Sequence, residues 1–285
     1  MELATLIKGK LTNLIDFFKD KKVIIGFSGG VDSSLLAFLS NKYANKTLLI
    51  TEYSILYPKE EIDSTIRFAK DLNVEHILLK RDPLNDKEFQ KNPKNRCYLC
   101  KKGLYSEIKS IQKERVFDSV VDGTNLDDLS DYRPGVLALK ELKIETPYIK
   151  YKISKDEIRQ ICSYYDLEIK SKPSMACFSS RIPYHQEITE SKLTKIMKAE
   201  EFLKKEFKLK QLRVRCHDND LARIEFLKED LPRILSSDNL LSIKNTLKSI
   251  GFNYITIDIE GFRSGSMNEI LSTSDIEKEL KTNTR

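Results

Sequence analysis

Residues 23–34 read VIIGFSGGVDSS, and this stretch decides the fold. The apolar residues 23–27 predict a buried parallel strand, and the apolar positions within 35–39 predict a helix. Between them, Gly29 and Gly30 allow the backbone to approach an oxygen atom closely. Backbone N–H groups and the positive end of the helix dipole face the same point. The stretch therefore predicts a strand, turn and helix that bind phosphate.

The turn itself, residues 28–34, is called the phosphate turn below. No Lys-Ser/Thr pair follows its glycines, so it is not the common nucleoside-triphosphate loop. Asp32 lies inside the turn instead, and an acid beside phosphate oxygens is suited to hold Mg²⁺. A bare Gly-Gly would favour an ordinary strand-to-helix turn, but the full string is far more specific. We expect the turn to bind ATP and Mg²⁺ through Ser28, Gly29, Gly30, Asp32, Ser33 and Ser34.

The string SGGVDSS resembles the signature of the PP-loop, or N-type, ATP pyrophosphatases. Those enzymes cleave ATP between the α and β phosphates and transfer AMP to an oxygen of the substrate. A nucleophile then displaces the AMP. The resemblance implies Mg²⁺-ATP and an adenylated intermediate, and it leaves the substrate unnamed.

Composition describes a soluble globular chain of one large or two modest domains: 285 residues, 40% hydrophobic and 32% charged. No apolar run approaches the roughly 20 residues that span a bilayer. Residues 1–22 alternate apolar and charged positions, unlike a signal peptide. We therefore expect a cytoplasmic protein without a membrane partner. The net charge of +6 is spread along the chain, and only the basic run 204–215 favours nucleic acid, which is not the expected partner.

Strand and helix patterns alternate through the first part of the chain and predict an α/β fold. The fold expected is a parallel sheet with helices on both faces, Rossmann-like and of the PP-loop type. After residue 180 the pattern changes to a smaller α+β unit. We expect an ATP-binding domain over residues 1–177 and a domain for substrate binding and oligomerisation over residues 178–285, in a homo-oligomer.

The carboxyl ends of parallel strands are where such sheets bind ligands. The sequence Asp-Gly-Thr-Asn at 122–125 follows a predicted strand there, as the phosphate turn does. Gly123 would let the backbone approach adenine or ribose. Asp127 or Asp128 would join Asp32 around Mg²⁺, and a solvated N-cap cluster on the next helix is the alternative.

Five cysteines, an odd number without an export signal, argue against a disulfide framework. Cys162 lies on an apolar helical face and Cys216 at the end of a predicted strand, so both are expected to be structural.

The other three cysteines suggest a metal centre. Cys97 and Cys100 form a C-x-x-C on a predicted helix, and Cys177 lies beyond the last helix of the sheet domain. Three thiolates suit a [4Fe–4S] cluster that keeps one iron without a protein ligand. Zinc held by three cysteines and His185 or His217 is one alternative. Buried thiols without a ligand are the other.

Charged side chains in the second half suggest an anion site. Arg213 and Arg215 alternate on a predicted strand and therefore point to the same side, and Arg181 precedes them. Guanidinium groups bind phosphate or carboxylate at two points. Glu200 would orient them or act on a proton. Any one of these is more often a surface ion-pair residue. Residues 261–269, GFRSGSMNE, would form a phosphate-binding turn or a subunit contact.

The pieces together resemble the LarE family across almost the whole chain. The segments that carry the resemblance are, in order, SGGVDSS, DGTNLDDLSDYRPG, KPSMACFSSRIPY, KAEEFL, LRVR, ARIE and GFRSGSMNE. Members are ATP-dependent sulfur-insertion enzymes that help to make the nickel-pincer nucleotide of lactate racemase. The resemblance implies a small-molecule substrate, pyridinium-3,5-biscarboxylic acid mononucleotide. One carboxylate is adenylated, and sulfur displaces AMP to give a thiocarboxylate.

In one branch of that family a single cysteine gives up its sulfur and is left as dehydroalanine, and Cys177 matches its position. Cys97 and Cys100 are additions that resemble the other branch, in which three cysteines hold a [4Fe–4S] cluster. We therefore expect Cys177 to be a cluster ligand, with sulfide or another donor supplying sulfur.

The resemblance implies catalytic roles for Cys177, Arg181, Glu200 and Asp32. It implies substrate binding by Arg181, Arg213 and Arg215, with Gly123 and Asp127 joining the phosphate turn around the nucleotide. The alternatives are cluster-dependent tRNA thiolation, amide formation with ammonia, and a nucleotide-sensing or sulfur-carrier module without catalysis.

Overall fold

The computed structural model describes residues 3–130, 132–173, 176–272 and 274. Within these, the chain forms two compact units. The first comprises residues 3–81 and 95–173, with 272 and 274, and the second comprises Asp82–Lys94 and Ala176–Leu271. The functional division between residues 177 and 178 stays a prediction. Three residues of the quoted segments lie outside the described residues: Asp131 in DGTNLDDLSDYRPG, and Ser174 and Met175 in KPSMACFSSRIPY.

The first unit contains a parallel four-stranded sheet. Its strands are β1 (Lys22–Gly26), β2 (Lys46–Tyr53), β3 (Glu75–Lys80) and β4 (Ser119–Val121), in the spatial order β3-β2-β1-β4. The chain thus moves outward from β1 to β3 and returns to place β4 on the other side of β1. A return of this kind creates a switch point between β1 and β4.

The helices in chain order are α1 (Thr5–Phe18), α2 (Val31–Tyr43), α3 (Lys59–Asp71), α4 (Lys87–Gln90), α5 (Arg96–Glu114), α6 (Gly135–Glu141), α7 (Pro147–Lys150), α8 (Lys155–Tyr164), α9 (Glu190–Phe207), α10 (Leu231–Ile234) and α11 (Ser237–Ile250). Short 3₁₀ helices include Asp127–Ser130 and Phe178–Arg181. In the part of the chain that the structure describes, no helix is both long and apolar enough to cross a bilayer.

Helices cover both faces of the parallel sheet, as predicted. Val23 and Ile25 of β1 lie in one buried cluster with apolar residues of α1, α2 and α8. Ile24 lies in another, with Tyr105 and Ile108 of α5 and Leu139 of α6. Successive residues of a strand point to opposite faces, so a strand covered on both sides is apolar at every position. This explains the uninterrupted run in β1.

The second unit is the predicted smaller α+β structure. Its sheet has the order β5-β6-β7, formed by β5 (Leu212–His217), β6 (Leu221–Phe226) and β7 (Tyr254–Ile257). The pair β5–β6 is antiparallel and the pair β6–β7 is parallel. Helix α9 packs against β5 and α11. In β5, Arg213 lies opposite Glu225 of β6, so charged side chains share one face of this sheet.

The second unit also takes in Asp82–Lys94, a polar stretch whose two prolines favour a loop. Asn92 in this segment is fully buried, and its side-chain Nδ2 donates to the carbonyl oxygens of Ile182 (3.2 Å), Pro183 (2.7 Å) and Gln186 (3.0 Å). Phe89 is buried as well. The segment is therefore part of the core structure of this unit.

Candidate functional site

The phosphate turn joins β1 to α2 as predicted. Gly30 is the N-cap of α2, and Gly29 has φ +70°, a left-handed conformation that favours glycine. The hydroxyl of Ser33 lies 3.1 Å from that of Ser28 and accepts from the Ser28 N–H at 3.3 Å. These bonds close the turn around the first N–H groups of a 13-residue helix. Such an arrangement binds phosphate oxygens.

The end of β4 lies directly against the phosphate turn. A Cβ added at Gly123 would stand 3.1 Å from the backbone nitrogen of Ser33 and 3.3 Å from the carbonyl carbon of Asp32. The two segments therefore meet at the switch point between β1 and β4, which is where open α/β sheets bind their ligands. Glycine at position 123 permits this close approach.

Asp122, at the end of β4, is the centre of a buried polar network. Its Oδ2 accepts from Lys101 Nζ at 3.0 Å and from Tyr105 Oη at 2.5 Å, and its Oδ1 accepts from the Thr124 N–H at 2.7 Å. Burial alone would raise the pKa of Asp122, but the positive charge of Lys101 and the hydrogen bonds outweigh it, so the pKa is lowered. The carboxylate is therefore charged and fixes the 122–125 turn.

Asp32, in the first turn of α2, is the acid nearest the phosphate turn. Its Oδ2 lies 2.5 Å from Lys155 Nζ, and its backbone carbonyl accepts from Tyr148 Oη at 2.9 Å. Its Oδ1 is buried and makes no ordinary hydrogen bond to the described residues, although the Asn125 side chain is close enough to act on its charge. Burial raises the pKa of Asp32, and the Lys155 ammonium opposes that shift. An orphaned buried carboxylate oxygen fits a metal ligand.

Asp127 and Asp128 have other partners. Asp127 Oδ2 accepts from the N–H of Lys155 at 2.7 Å and so caps α8. Asp128 accepts from the N–H of Asn125 at 3.0 Å and pairs with Arg133 at 3.2 Å. The capping alternative thus describes what Asp127 does here, and its part in holding Mg²⁺ stays a prediction.

Three lysines near this site went unrecognised in the sequence: Lys101, Lys155 and Lys172. Lys172 Nζ contacts the carbonyl oxygen of Gly29 at 2.9 Å and Glu61 at 2.8 Å. A single lysine in a polar stretch belongs to no periodic sequence pattern, so its contacts cannot be predicted from its neighbours. The one local signal is the capping box formed by Ser154 and Glu157, which marks the start of α8 at Lys155.

In the second unit, Arg181 and Glu200 form a buried pair. Arg181 Nε and Nη2 donate to the two oxygens of Glu200 at 2.9 and 3.1 Å, and the residues are 0% and 1% exposed. Glu200 also accepts from the N–H of Val214 at 3.0 Å. Burial would raise the pKa of Glu200, but the charge of Arg181 outweighs it and the pKa is lowered. Glu200 therefore holds Arg181 in one orientation, and its predicted catalytic role stays a prediction.

Arg215 forms a second such pair. Its guanidinium contacts the two oxygens of Glu225 at 2.9 and 2.6 Å, and Ser266 Oγ bonds to both partners at 2.9 Å. Ser266 belongs to the predicted 261–269 turn, so that turn contributes a side chain to the pair. Arg215 also donates to the carbonyl oxygen of Ser180 at 3.0 Å.

Arg213 lies on the same face, with its guanidinium carbon 5.2 Å from the ring centre of Phe262. Burial, followed by the positive charge of Arg181, lowers the pKa of Arg213 to about 10. The set formed by Arg181, Arg213, Arg215, Glu200, Glu225 and Ser266 is called the arginine network below. Guanidinium groups can bind an anion such as phosphate or carboxylate at two points.

The cysteines divide by exposure. Cys97 is exposed and Cys100 half-buried, both on the first turn of α5. Cys177 is half-buried, with Sγ 2.9 Å from Ser179 Oγ. Cys162 and Cys216 are fully buried, as predicted, and burial raises their pKa values to about 12 and about 11. Of the five, only Cys97, Cys100 and Cys177 are accessible to a ligand.

A complete metal site is not preformed within residues 3–130, 132–173, 176–272 and 274. No three histidine, cysteine, aspartate or glutamate side chains of this part converge to hold an ion. Cys97 and Cys100 belong to the first unit and Cys177 to the second. The three-cysteine set therefore stays a prediction, and so do the zinc alternatives with His185 or His217.

Comparison with known proteins places the chain in a family. The sequence profile described as NAD synthase matches residues 3–110, which contain the phosphate turn. An uncharacterized protein of Methanocaldococcus jannaschii is 38% identical over 269 residues, 92% of this chain and 98% of that protein. An uncharacterized protein of Synechocystis is 36% identical over 269 residues, 94% of this chain and 100% of that protein.

The pyridinium-3,5-bisthiocarboxylic acid mononucleotide synthase of Lactiplantibacillus plantarum is 32% identical over 282 residues, 96% of this chain and 99% of that protein. This chain belongs to the LarE family. The family lies within the PP-loop superfamily, whose phosphate turn the structure displays. The LarE resemblance and the α/β fold predicted from the sequence are both confirmed, and the chain is an enzyme that uses ATP.

Proposed function

We propose that this chain is an ATP-dependent sulfur transferase acting on pyridinium-3,5-biscarboxylic acid mononucleotide. It would adenylate one carboxylate and replace AMP with sulfur, giving a thiocarboxylate on the route to the nickel-pincer nucleotide of lactate racemase. The observation that carries the proposal is the coverage of the similarity. Because 96% of this chain aligns with 99% of the named synthase, the shared part includes both units.

The phosphate turn supports the adenylation step. Backbone N–H groups at the start of α2 would bind the ATP phosphates, and Asp32 would hold Mg²⁺, which neutralises phosphate charge when bound. A substrate carboxylate oxygen attacks the α-phosphorus, the bond to the β-phosphate breaks, and pyrophosphate leaves. Alignment of the two reactants in this way is worth about 7–11 kcal/mol.

The arginine network supports recognition of the anionic substrate. Its guanidinium groups suit the phosphate or a carboxylate of the mononucleotide, because a guanidinium binds either anion at two points. Glu200 and Glu225 hold Arg181 and Arg215 in fixed orientations. Their own substrate contacts would then need little reorganisation.

Sulfur transfer is proposed to use Cys97, Cys100 and Cys177 as ligands of a [4Fe–4S] cluster. Thiolates are the usual ligands of such clusters, and these three cysteines are the accessible ones among the five. A bound cluster would supply an iron that has no protein ligand, on which sulfide can be held. A sulfide sulfur would displace AMP from the adenylated carboxylate, forming a C–S bond as the C–O bond to AMP breaks.

Anaerobic preparation tests this proposal. We expect about four irons and four sulfides per chain with a broad visible absorbance, and ATP-dependent release of AMP, pyrophosphate and a thiocarboxylate detected by mass. The Cys97→Ala variant should lose the cluster and the sulfur transfer, whereas the matched Cys216→Ala variant should keep both. A Cys97→Ala protein that keeps four irons and transfers sulfur would contradict the ligand assignment.

The same preparation addresses the other candidates. Zinc in place of iron would identify the zinc site, and an amide formed from ammonia by an iron-free protein would favour the synthetase alternative. Salt-sensitive tRNA binding would favour tRNA thiolation. The homo-oligomeric state, a cytoplasmic location and sulfide as the donor belong to the proposal, and light scattering tests the first of these.

A further inference from the structure

The contact between Asp32 and Lys155 occupies a position that a nucleotide-bound metal would need. Asp32 lies in the first turn of α2, beside the N–H groups of the phosphate turn. One carboxylate oxygen, Oδ2, is 2.5 Å from Lys155 Nζ, and the other is buried and orphaned. The pair is therefore half-satisfied. An ammonium covers one oxygen of the carboxylate, and the other oxygen makes no ordinary hydrogen bond to the described residues.

We propose that Lys155 shields Asp32 from divalent metal until nucleotide phosphates draw the ammonium away, so that metal and ATP bind only together. The inference rests on the proposed ATP-dependent function. Binding a metal ion and the Lys155 ammonium to the same carboxylate costs free energy, because the two cations repel each other at this distance. Phosphate oxygens at the start of α2 offer the Lys155 ammonium a new anionic partner. The metal then gains Asp32 as the lysine gains a phosphate.

The anchoring of Lys155 allows such a movement. Its backbone N–H is held by Asp127 Oδ2 at 2.7 Å, and Ser154 caps the helix that Lys155 begins. The side chain is 30% exposed, and it is a flexible four-carbon stem with a compact charge at its end. The ammonium can therefore change partners while α8 stays in place.

A second ion pair that involves α8, between Lys10 of α1 and Glu157, provides a contrast. Lys10 Nζ contacts both oxygens of Glu157, at 2.6 and 2.8 Å, and the carbonyl oxygen of Lys152 at 2.6 Å. Glu157 also accepts from the N–H of Ser154 at 2.9 Å. Every oxygen of this carboxylate has a partner, and none is left over. It is a structural pair, and it serves as the matched control.

The test measures metal and nucleotide binding separately in the anaerobically prepared protein. Mn²⁺ replaces Mg²⁺ so that metal binding without nucleotide can be followed by its electron paramagnetic resonance signal. We expect the Lys155→Met variant to bind Mn²⁺ alone at least tenfold more tightly than the wild type. The same variant should bind ATP, in the presence of Mg²⁺, at least tenfold more weakly, because the phosphates lose a cation. Lys155→Arg should stay within threefold of the wild type for Mn²⁺.

Tighter binding of Mn²⁺ together with weaker binding of ATP would show that Lys155 changes partners. Loss of a purely structural lysine would weaken both affinities or neither. The Lys10→Met variant should leave both affinities within twofold, and adding Asp32→Asn to Lys155→Met should remove the gain in Mn²⁺ affinity. Unchanged or weaker Mn²⁺ binding by Lys155→Met and Lys155→Gln, in protein that melts as a folded chain, would overturn the inference. Mn²⁺ binding can be measured without the mononucleotide substrate, so this result does not depend on sulfur transfer. If the wild type transfers no sulfur and yet the Mn²⁺ result holds, the proposed function fails while Lys155 keeps its role.

Discussion

Glu200 holds a charge in a place that solvent does not reach. Replacing it with glutamine keeps its shape and removes the negative charge that offsets Arg181. We expect Glu200→Gln to lower the free energy of unfolding by about 3 kcal/mol at pH 7, because an unpaired guanidinium would remain buried. Chemical denaturation measures this loss. Glu201→Gln, at an exposed position of the same helix, should stay within about 0.5 kcal/mol of the wild type.

The pH dependence of this difference has a definite sign. The pKa of Glu200 in the folded chain is lowered from its ordinary 4.5, so the folded state favours the charged form. The stabilisation is complete above pH 4.5 and is lost as the pH falls through the folded-state pKa. Wild type and Glu200→Gln should therefore converge in stability as the solution is acidified below that value. A difference that stays constant through the acid range would show that charge is not its cause.

Single residues also mark how far sequence reasoning reached. Asp32, Gly123 and Arg181 were found because each belongs to a string with a fixed order around a turn or a strand end. Lys155 and Tyr105 were missed. Their partners are more than a dozen residues away along the chain, and no local pattern records such a pairing. The exposure of the cysteines was predicted correctly for Cys162 and Cys216, because apolar neighbours along an element report burial directly.

At the scale of elements, β1 and α5 fit together through a glycine and a tyrosine. A Cβ at Gly26 would overlap the hydroxyl group of Tyr105, which is buried on Asp122. We expect Gly26→Ala to destabilise the chain by about 1–3 kcal/mol through overpacking. Tyr105→Phe should cost about 1 kcal/mol, for the lost hydrogen bond.

The double variant separates this contact from unrelated effects. Removing the tyrosine hydroxyl relieves the closest of the overlaps with the new methyl group, so Gly26→Ala with Tyr105→Phe should be more stable than the sum of the single losses predicts. A coupling of about 1 kcal/mol in a double-mutant cycle is expected. Strict additivity would mean that helix α5 does not pack on β1 in this way.

The elements themselves were largely predictable. The uninterrupted apolar run of β1, the capping box of α8 and the alternation of Arg213 and Arg215 on β5 are local patterns, and each appears in the structure. The short helix α4 and the membership of Asp82–Lys94 in the second unit were not predicted. Those depend on packing partners near residue 183, which lie about ninety residues further along.

At the scale of the whole molecule, Asn92 holds the Asp82–Lys94 segment in the second unit. It has φ +53°, a conformation that asparagine tolerates better than alanine, and its amide serves three carbonyl groups. We expect Asn92→Ala to lower the free energy of unfolding by about 2–4 kcal/mol, from the lost donor and the backbone strain together.

Asn73, with φ +52° at the end of α3, isolates the backbone share of that cost. Asn73→Ala should lose about 1 kcal/mol. Thermal melting and denaturant titration of both variants measure the two losses in free energy of unfolding. Equal losses at the two positions would show that the amide of Asn92 contributes nothing beyond its backbone conformation.

The interleaving of the two units bears on how such a protein is inherited. The chain completes β3, spends thirteen residues in the second unit as Asp82–Lys94, and only then begins the helix that carries Cys97 and Cys100. A single genetic crossover therefore cannot exchange the second unit intact. A transplanted 176–271 would arrive without Phe89 and Asn92, and the host would keep an orphaned loop. Selection is thereby expected to pass on the nucleotide-binding half and the arginine-bearing half as one lineage, rather than as modules shuffled among genes.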